Sequence, residues 1–250
     1  MARKIAIAIR KGGSGKTTTS INLATALMHK GQHVLLVDTD DQANATMGVG
    51  LNPDELEPTL NDLFANPATD PRTAIHRTFF GLDVLPAHDH LSRTEANMEA
   101  EDMFLLRAIL AQLDSAYDFI IIDTPPTKGY LMRNALAAAD EVIIPVRAGA
   151  FSRGGLRKEL ATIEKARGYN PSLTLSGILP LSVDNTQFAD DLVGEVGESY
   201  ESAIYPTDMH VPKTTYVDQA NELGIPVVMY KPAHGASTAY YKLAEALLNG

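Results

Sequence analysis

Residues 11 to 18 read Lys-Gly-Gly-Ser-Gly-Lys-Thr-Thr, and with their flanks they constrain the chain more than any other stretch. Upstream, Lys4-Ile5-Ala6-Ile7-Ala8-Ile9-Arg10 is an apolar run of β type. Downstream, Thr19 to Met28 carries apolar residues at helical spacing. Strand, glycine-rich loop and helix together form a phosphate cradle. Gly12, Gly13 and Gly15 let the backbone curl so that successive N–H groups point inward, and the helix N-terminus adds its partial positive charge. In that geometry Ser14 and Thr18 belong to the cradle wall. Lys16 reaches the β- and γ-phosphates, and the Thr17 hydroxyl ligates Mg²⁺. The bland alternative, a surface turn with a solvated lysine, does not call for these flanks.

The rest of the chain is compatible with such a site. At 250 residues with 45% hydrophobic content it can bury a sizeable core. One domain spanning 1–250 is expected, since no repeat, low-complexity segment or linker divides it. The count of zero cysteines excludes disulfides, thiolate zinc sites, cysteine nucleophiles and cysteine-held iron–sulfur clusters. No apolar run approaches membrane-spanning length and no signal peptide precedes the first strand, so a cytoplasmic protein is expected. A net charge of −10 argues against a globally basic nucleic-acid binder, though not against a local basic patch.

In order, Val34 to Val37 reads as a buried parallel strand that delivers Asp38-Thr39-Asp40-Asp41-Gln42 at its carboxyl end. Residues 43 to 75 read as loop with a short helix near Leu60 to Phe64. Gly81 to Pro86 reads as a strand, Glu101 to Leu113 as an amphipathic helix, and Tyr117 to Asp123 as the strongest buried strand. Beyond it come a helix (Leu131 to Ala139), a strand (Glu141 to Val146), a charged helix (Ser152 to Ala166) and a strand (Leu173 to Leu181). An acidic helix (Gln187 to Val196), two weak strands (Met209 to Val211, Pro226 to Met229) and a terminal helix (Ser237 to Leu248) complete the reading. Alternation of this kind predicts an α/β fold, a doubly wound, mostly parallel twisted sheet with helices on both faces.

Asp123 follows four apolar residues at a strand end and is expected beside Thr17, holding the Mg²⁺ side of the site. Asp38 and Asp40 are both candidates around the attacking water and the metal. Asp38, nearer the strand, suits an orienting role, and Asp40, in the loop, suits polarising the water. Asp41 reads as solvated loop. His88-Asp89-His90 places two imidazoles at a spacing that can bind metal, but no third ligand is evident in the sequence, and the segment reads as loop chemistry. Ser14 has no partnered base and is not expected to be a nucleophile.

A lysine at position 11 before two glycines resembles the deviant phosphate loop of the ParA/MinD family of ATPases. The resemblance spans nearly the whole chain. Val37-Asp38-Thr39-Asp40-Asp41-Gln42-Ala43-Asn44-Ala45-Thr46 is similar to that family's first switch, and Asp123-Thr124-Pro125-Pro126 to its second. Asn134 to Val146 and Val211-Pro212-Lys213, followed by Ala220 and Gly224-Ile225-Pro226-Val227, resemble later family blocks. Asp41 stands where the family usually has Pro, and Ala43 where it usually has Gly.

The resemblance implies an ATP- and Mg²⁺-dependent ATPase that works as a homodimer. Lys11 of each subunit would reach the phosphates bound in the other, Asp40 would be the catalytic carboxylate, and Pro212 would pack near the base. It further implies non-specific DNA binding and a ParB-like adaptor that stimulates hydrolysis, with nucleoid association and no membrane contact. With ten residues before the loop, the chain resembles the family's short type. Charge for DNA is thin, because Tyr216 and Ile225 stand where the family has basic residues. Arg153, Arg157, Lys158, Lys165 and Arg167 form the best basic cluster, readable as a DNA face or as a solvated helix face. Positioning of a protein cargo or organelle stays open beside DNA partitioning. A MinD-like division regulator lacks its basic amphipathic C-terminal helix here.

Overall fold

The computed structural model describes residues 1–147, 155–183, 192 and 198–249. Among the described residues, eight strands form one sheet in the order β3-β4-β2-β5-β1-β6-β7-β8. These are β1 (Arg3–Ile7), β2 (Val34–Asp38), β3 (His76–Arg77), β4 (Asp83–Leu85), β5 (Phe119–Asp123), β6 (Glu141–Arg147), β7 (Thr174–Val183) and β8 (Val211–Pro212). All neighbours are parallel except β3 and β4. Every residue of β2 and β5 is buried, which explains their unbroken apolar runs, because a central parallel strand has no wet face.

Side-chain alternation along β5 divides the core in two. Ile120 and Ile122 join one cluster, with α5 (Leu105–Ala111), α6 (Tyr130–Ala138) and α7 (Gly155–Ala166) covering that face. Phe119 and Ile121 join the other, covered by α1 (Lys16–His29) and the terminal α11 (Gly235–Asn249). The parallel register aligns Ile7 and Asp38 with Asp123, so the carboxyl ends of β1, β2 and β5 lie side by side. Ligands of open α/β sheets bind at this edge.

The expected strand Met209 to Val211 is instead a 3₁₀ turn, Thr207–Met209, before β8, and three other local differences from the sequence reading have clear physical causes. Val227–Tyr230 is a helical turn, α10, where a strand was expected. The Val228 N–H donates to Asn22 Oδ1 of α1, and Val227 and Val228 bury, so the apolar residues serve helix packing instead of a ladder. The stretch after β2 contains a further helix, α2 (Asn44–Gly48), held because Thr46 donates both its N–H and its hydroxyl to Asp38. The helix expected from Glu101 begins as a 3₁₀ segment, Ala100–Phe104. There Asn134 of α6 takes the Asp102 carbonyl and the Leu106 N–H.

The short helices α3 (Leu60–Ala65), α4 (Leu91–Ala96), α8 (Glu198–Glu201) and α9 (Tyr216–Glu222) complete the described chain. Of the expected Gln187 to Val196 helix, only residue 192 lies within the described residues. The first turn expected at Ser152 lies outside them.

Ile121 is fully buried between the sheet and α1. Ile121→Ala should lower stability by about 2–5 kcal/mol, read as a lower urea midpoint with an unchanged m-value.

Candidate nucleotide site

The loop between β1 and α1 curls through left-handed glycines. Gly15 has φ of 89°, and a Cβ there would stand 2.4 Å from Leu181 Cδ1, so both conformation and space require glycine. Residues 12 to 18 of this loop line a cleft of about 500 Å³. Its far wall is made by Asp40, Gln42, α2, Pro126, Arg147 and Asn221. A smaller cavity of about 80 Å³ adjoins it beyond Gly15 and Thr18, lined by Pro212, Val211, Val217 and Tyr240. The structure therefore brings the loop, Asp40 and, in the adjoining cavity, Pro212 to one edge of the sheet. Lys11 is exposed at the entry to the loop.

Asp123 is wholly buried and saturated by α1. Thr17 Oγ1 donates to its Oδ2 at 2.8 Å, and Ser20 Oγ to its Oδ1 at 2.7 Å. Asp38 is also wholly buried, accepting from Thr46 and, at 3.1 Å, from the Asp40 N–H. It thus orients the segment that carries Asp40, while Asp40 lines the cleft and accepts the Gln42 N–H at 3.1 Å. The loop also holds a buried hydroxyl, Ser14 Oγ, with no hydrogen-bond partner. An unpaired buried hydroxyl is costly, and inward N–H groups and a buried lysine beside it form a surface suited to an anionic ligand. The Thr17 hydroxyl and the Asp123 carboxylate are the hard oxygen donors a Mg²⁺ ion takes.

Burial sets the electrostatics. It lowers the Lys16 pKa, against the pull of Asp123 and Asp40. Burial, then the neighbouring Asp38, pushes Asp123 up to about 7, and burial pushes Asp38 up to about 6. Asp40 is raised as well, again mainly by burial. A cation arriving at Asp123 therefore displaces a proton or relieves a strained anion.

Two contributors had weak sequence signals. Arg147, at the end of β6, lines both cavities and donates to Ser182 Oγ at 3.1 Å. Glu159 of α7, buried among apolar neighbours, accepts from the Arg10 N–H at 3.2 Å and from its Nε at 3.0 Å. Arg10 also donates to the Lys158 carbonyl at 3.3 Å, so α7 clamps the residue next to Lys11. A glutamate on the apolar stripe of a helix was the only hint of this pairing.

A strand–loop–helix phosphate cradle with a strand-end carboxylate on the first-turn hydroxyl defines a nucleotide-binding protein of the P-loop class. The family described as AAA domain matches residues 2–175. The chain is 35% identical to the chromosome partitioning protein ParA of Caulobacter vibrioides, covering 99% of this chain and 94% of that protein. It is also 35% identical to the sporulation initiation inhibitor protein Soj of Bacillus subtilis, covering 100% of both. The fold matches the crystal structure of cobyrinic acid a,c-diamide synthase from Mycobacterium smegmatis with bound ADP and magnesium. That match has a TM-score of 0.83 and 33% identity, and covers 99% of this chain and 94% of that one. The chain belongs to the ParA/MinD family of P-loop ATPases.

Two consequences can be measured. An acid with a raised folded-state pKa stabilises the fold below its ordinary value and loses that stabilisation as pH rises through the folded value. For Asp123 this window runs from 3.8 to about 7. The ligand-free protein should lose stability across it, and Asp123→Asn should flatten the slope in denaturant titrations at stepped pH. Separately, Glu159→Ala strands the Arg10 guanidinium and should cost about 3 kcal/mol. The pair Arg10→Met with Glu159→Leu should recover most of that in the same unfolding assay.

Proposed function

We propose that the protein is an ATP-dependent dimerising ATPase that partitions DNA, acting as a single domain in the cytoplasm and on the nucleoid when ATP-bound. The observation that carries this reading is the exposed Lys11 at the mouth of a complete phosphate cleft, in a chain that resembles ParA and Soj over its full length. Gly12, Gly13, Ser14, Gly15, Lys16, Thr17 and Thr18 wrap the phosphates, and Pro212 lines the cavity suited to the base. Thr17 and Asp123 hold the Mg²⁺, which supplies charge neutralisation at the β- and γ-phosphates. Asp40, aligned through its N–H on Asp38, orients a water for in-line attack. Lys11 crosses to the phosphates of a second copy, a charge supplied in trans, so the dimer forms on ATP and hydrolyses it.

The DNA contact is carried by exposed basic residues on α7, Arg157, Lys158 and Lys165. Arg167 is bound by Glu164 at 2.8 Å, and Arg153 lies outside the described residues. An adaptor of ParB type would trigger hydrolysis. The net charge of −10 favours one second reading, the same ATPase cycle positioning a protein cargo. No helix among the described residues is long and apolar enough to cross a membrane.

Asp40→Ala should accumulate an ATP-bound dimer in sedimentation experiments. That dimer should bind random-sequence DNA at low salt and lose affinity as salt rises. Lys11→Ala should bind ATP as a monomer, fail to dimerise and hydrolyse on the order of 10³-fold more slowly. A trapped dimer that ignores DNA at low salt would overturn the partitioning reading in favour of protein cargo. Unchanged turnover and dimerisation in Lys11→Ala would remove the trans lysine from the mechanism.

A further inference from the structure

The loop that leaves β4 carries His88-Asp89-His90, and folding brings the intervening carboxylate against both imidazoles. Asp89 Oδ1 lies 2.6 Å from His88 Nδ1 and 3.1 Å from His90 Nδ1. The two imidazole rings are 4.7 Å apart, and candidate ligand atoms of the three residues all fall within 4.8 Å of one another. Around a tetrahedral ion with bonds of roughly 2.0–2.1 Å, adjacent donors stand about 3.3 Å apart. The carboxylate already bridges the two nitrogens near that spacing, so one ion can take all three atoms after small side-chain rotations.

A fourth residue stands behind the first. Asp54 Oδ1 is 3.6 Å from His88 Nε2, on the opposite edge of the ring from Asp89. The 2.6 Å contact places a proton between His88 Nδ1 and Asp89, which an incoming ion would displace; the ring's Nε2 edge then faces Asp54, the arrangement of a ligating imidazole with a carboxylate behind it. The backbone is set beforehand. The His88 N–H donates to Asn61 Oδ1 at 3.2 Å, the Leu91 N–H to the His88 carbonyl at 3.0 Å, and Ser92 Oγ to the Asp89 carbonyl at 3.2 Å. Little loop entropy remains to be lost on binding.

We propose that His88, Asp89 and His90 form a binding site for a divalent transition metal of the zinc class, with Asp54 orienting His88. Two nitrogens and one carboxylate oxygen suit Zn²⁺ or Co²⁺, whereas Mg²⁺ keeps to all-oxygen octahedral sites. This ion is therefore separate from the one expected at Thr17 and Asp123. Residues flanking the site on both sides reach the segments that shape the nucleotide cleft. The neighbouring Ala87 N–H donates to Thr46 Oγ1 at 3.3 Å, and Thr46 in turn holds Asp38. Glu95, on the helix that His90 precedes, accepts the Leu131 N–H at 2.9 Å, at the start of α6 beyond Pro126. An ion on this loop thus stiffens the ground between the two acidic strand ends.

The test is calorimetric titration of the whole chain with Zn²⁺ in excess Mg²⁺, with Co²⁺ absorption as a second readout. One equivalent should bind, with the d–d spectrum of nitrogen–oxygen ligation. His88→Ala and His90→Ala should each weaken binding at least tenfold, and Asp54→Asn by about ten- to a hundredfold. Asp123→Asn should leave it unchanged, which separates this site from the nucleotide cleft. Circular dichroism and melting confirm that each variant is folded. The absence of saturable binding would overturn the proposal, as would binding undiminished in the His88→Ala, His90→Ala double variant. An unaltered Asp54→Asn affinity would remove Asp54 from it. None of these readouts depends on ATP hydrolysis or DNA, so their failure leaves the partitioning reading where it stands.

Discussion

The hydrogen bonds from Thr17 and Ser20 to the Asp123 carboxylate are the interaction on which the rest depends. They join the end of the central strand to the first turn of α1 and so fix the phosphate loop strung between β1 and that helix. Two hydroxyl donors keep a wholly buried carboxylate tolerable, since an unpaired one would cost several kcal/mol or take up a proton. A cation held by Thr17 and Asp123 would give this buried carboxylate a charged partner, and so would couple ligand binding to the fold's centre.

Asp38 shows the same economy turned to a different use. Both its oxygens are spent inside the protein, on Thr46 and on the Asp40 N–H, so it is the framework on which Asp40 is displayed. Strand end, loop and α2 are tied together because they share that carboxylate. Thr46 extends the connection to Ala87, and Glu95 extends it from α4 to the head of α6. Acidic groups usually kept on surfaces are here the internal joints of the site.

The opposite flank of the loop is held by a different device. Glu159 reaches from the apolar stripe of α7 to both the backbone and the guanidinium of Arg10. A buried ion pair adds little net stability but penalises geometries that separate its members. Its place beside Lys11 makes the orientation of the loop's entry depend on α7, the helix that also carries the exposed basic residues. The cleft and the outer charged face are thus mechanically linked through one side chain.

Much of this was legible in the residues themselves. Unbroken apolar runs at Val34 to Val37 and Phe119 to Ile122 read as central parallel strands, and the glycine pattern after Lys4 to Ile9 as a phosphate cradle in that setting. Strand-end placement made Asp123, Asp38 and Asp40 the candidates, because local periodicity dictates which residues end at the ligand edge. Position in the chain did not reveal partners far apart in it. Whether Asp38 faces ligand or protein depended on Thr46, whether Val227 and Val228 form a strand depended on Asn22, and Arg10 met Glu159 across 149 positions. His88 and His90 were visible as a pair, while Asp54 came to them only through the packing of two loops. By itself the sequence determined the α/β class, the cradle and the family. Tertiary structure decided how each buried charge is satisfied, because such charges are balanced by neighbours in space and not by neighbours along the chain.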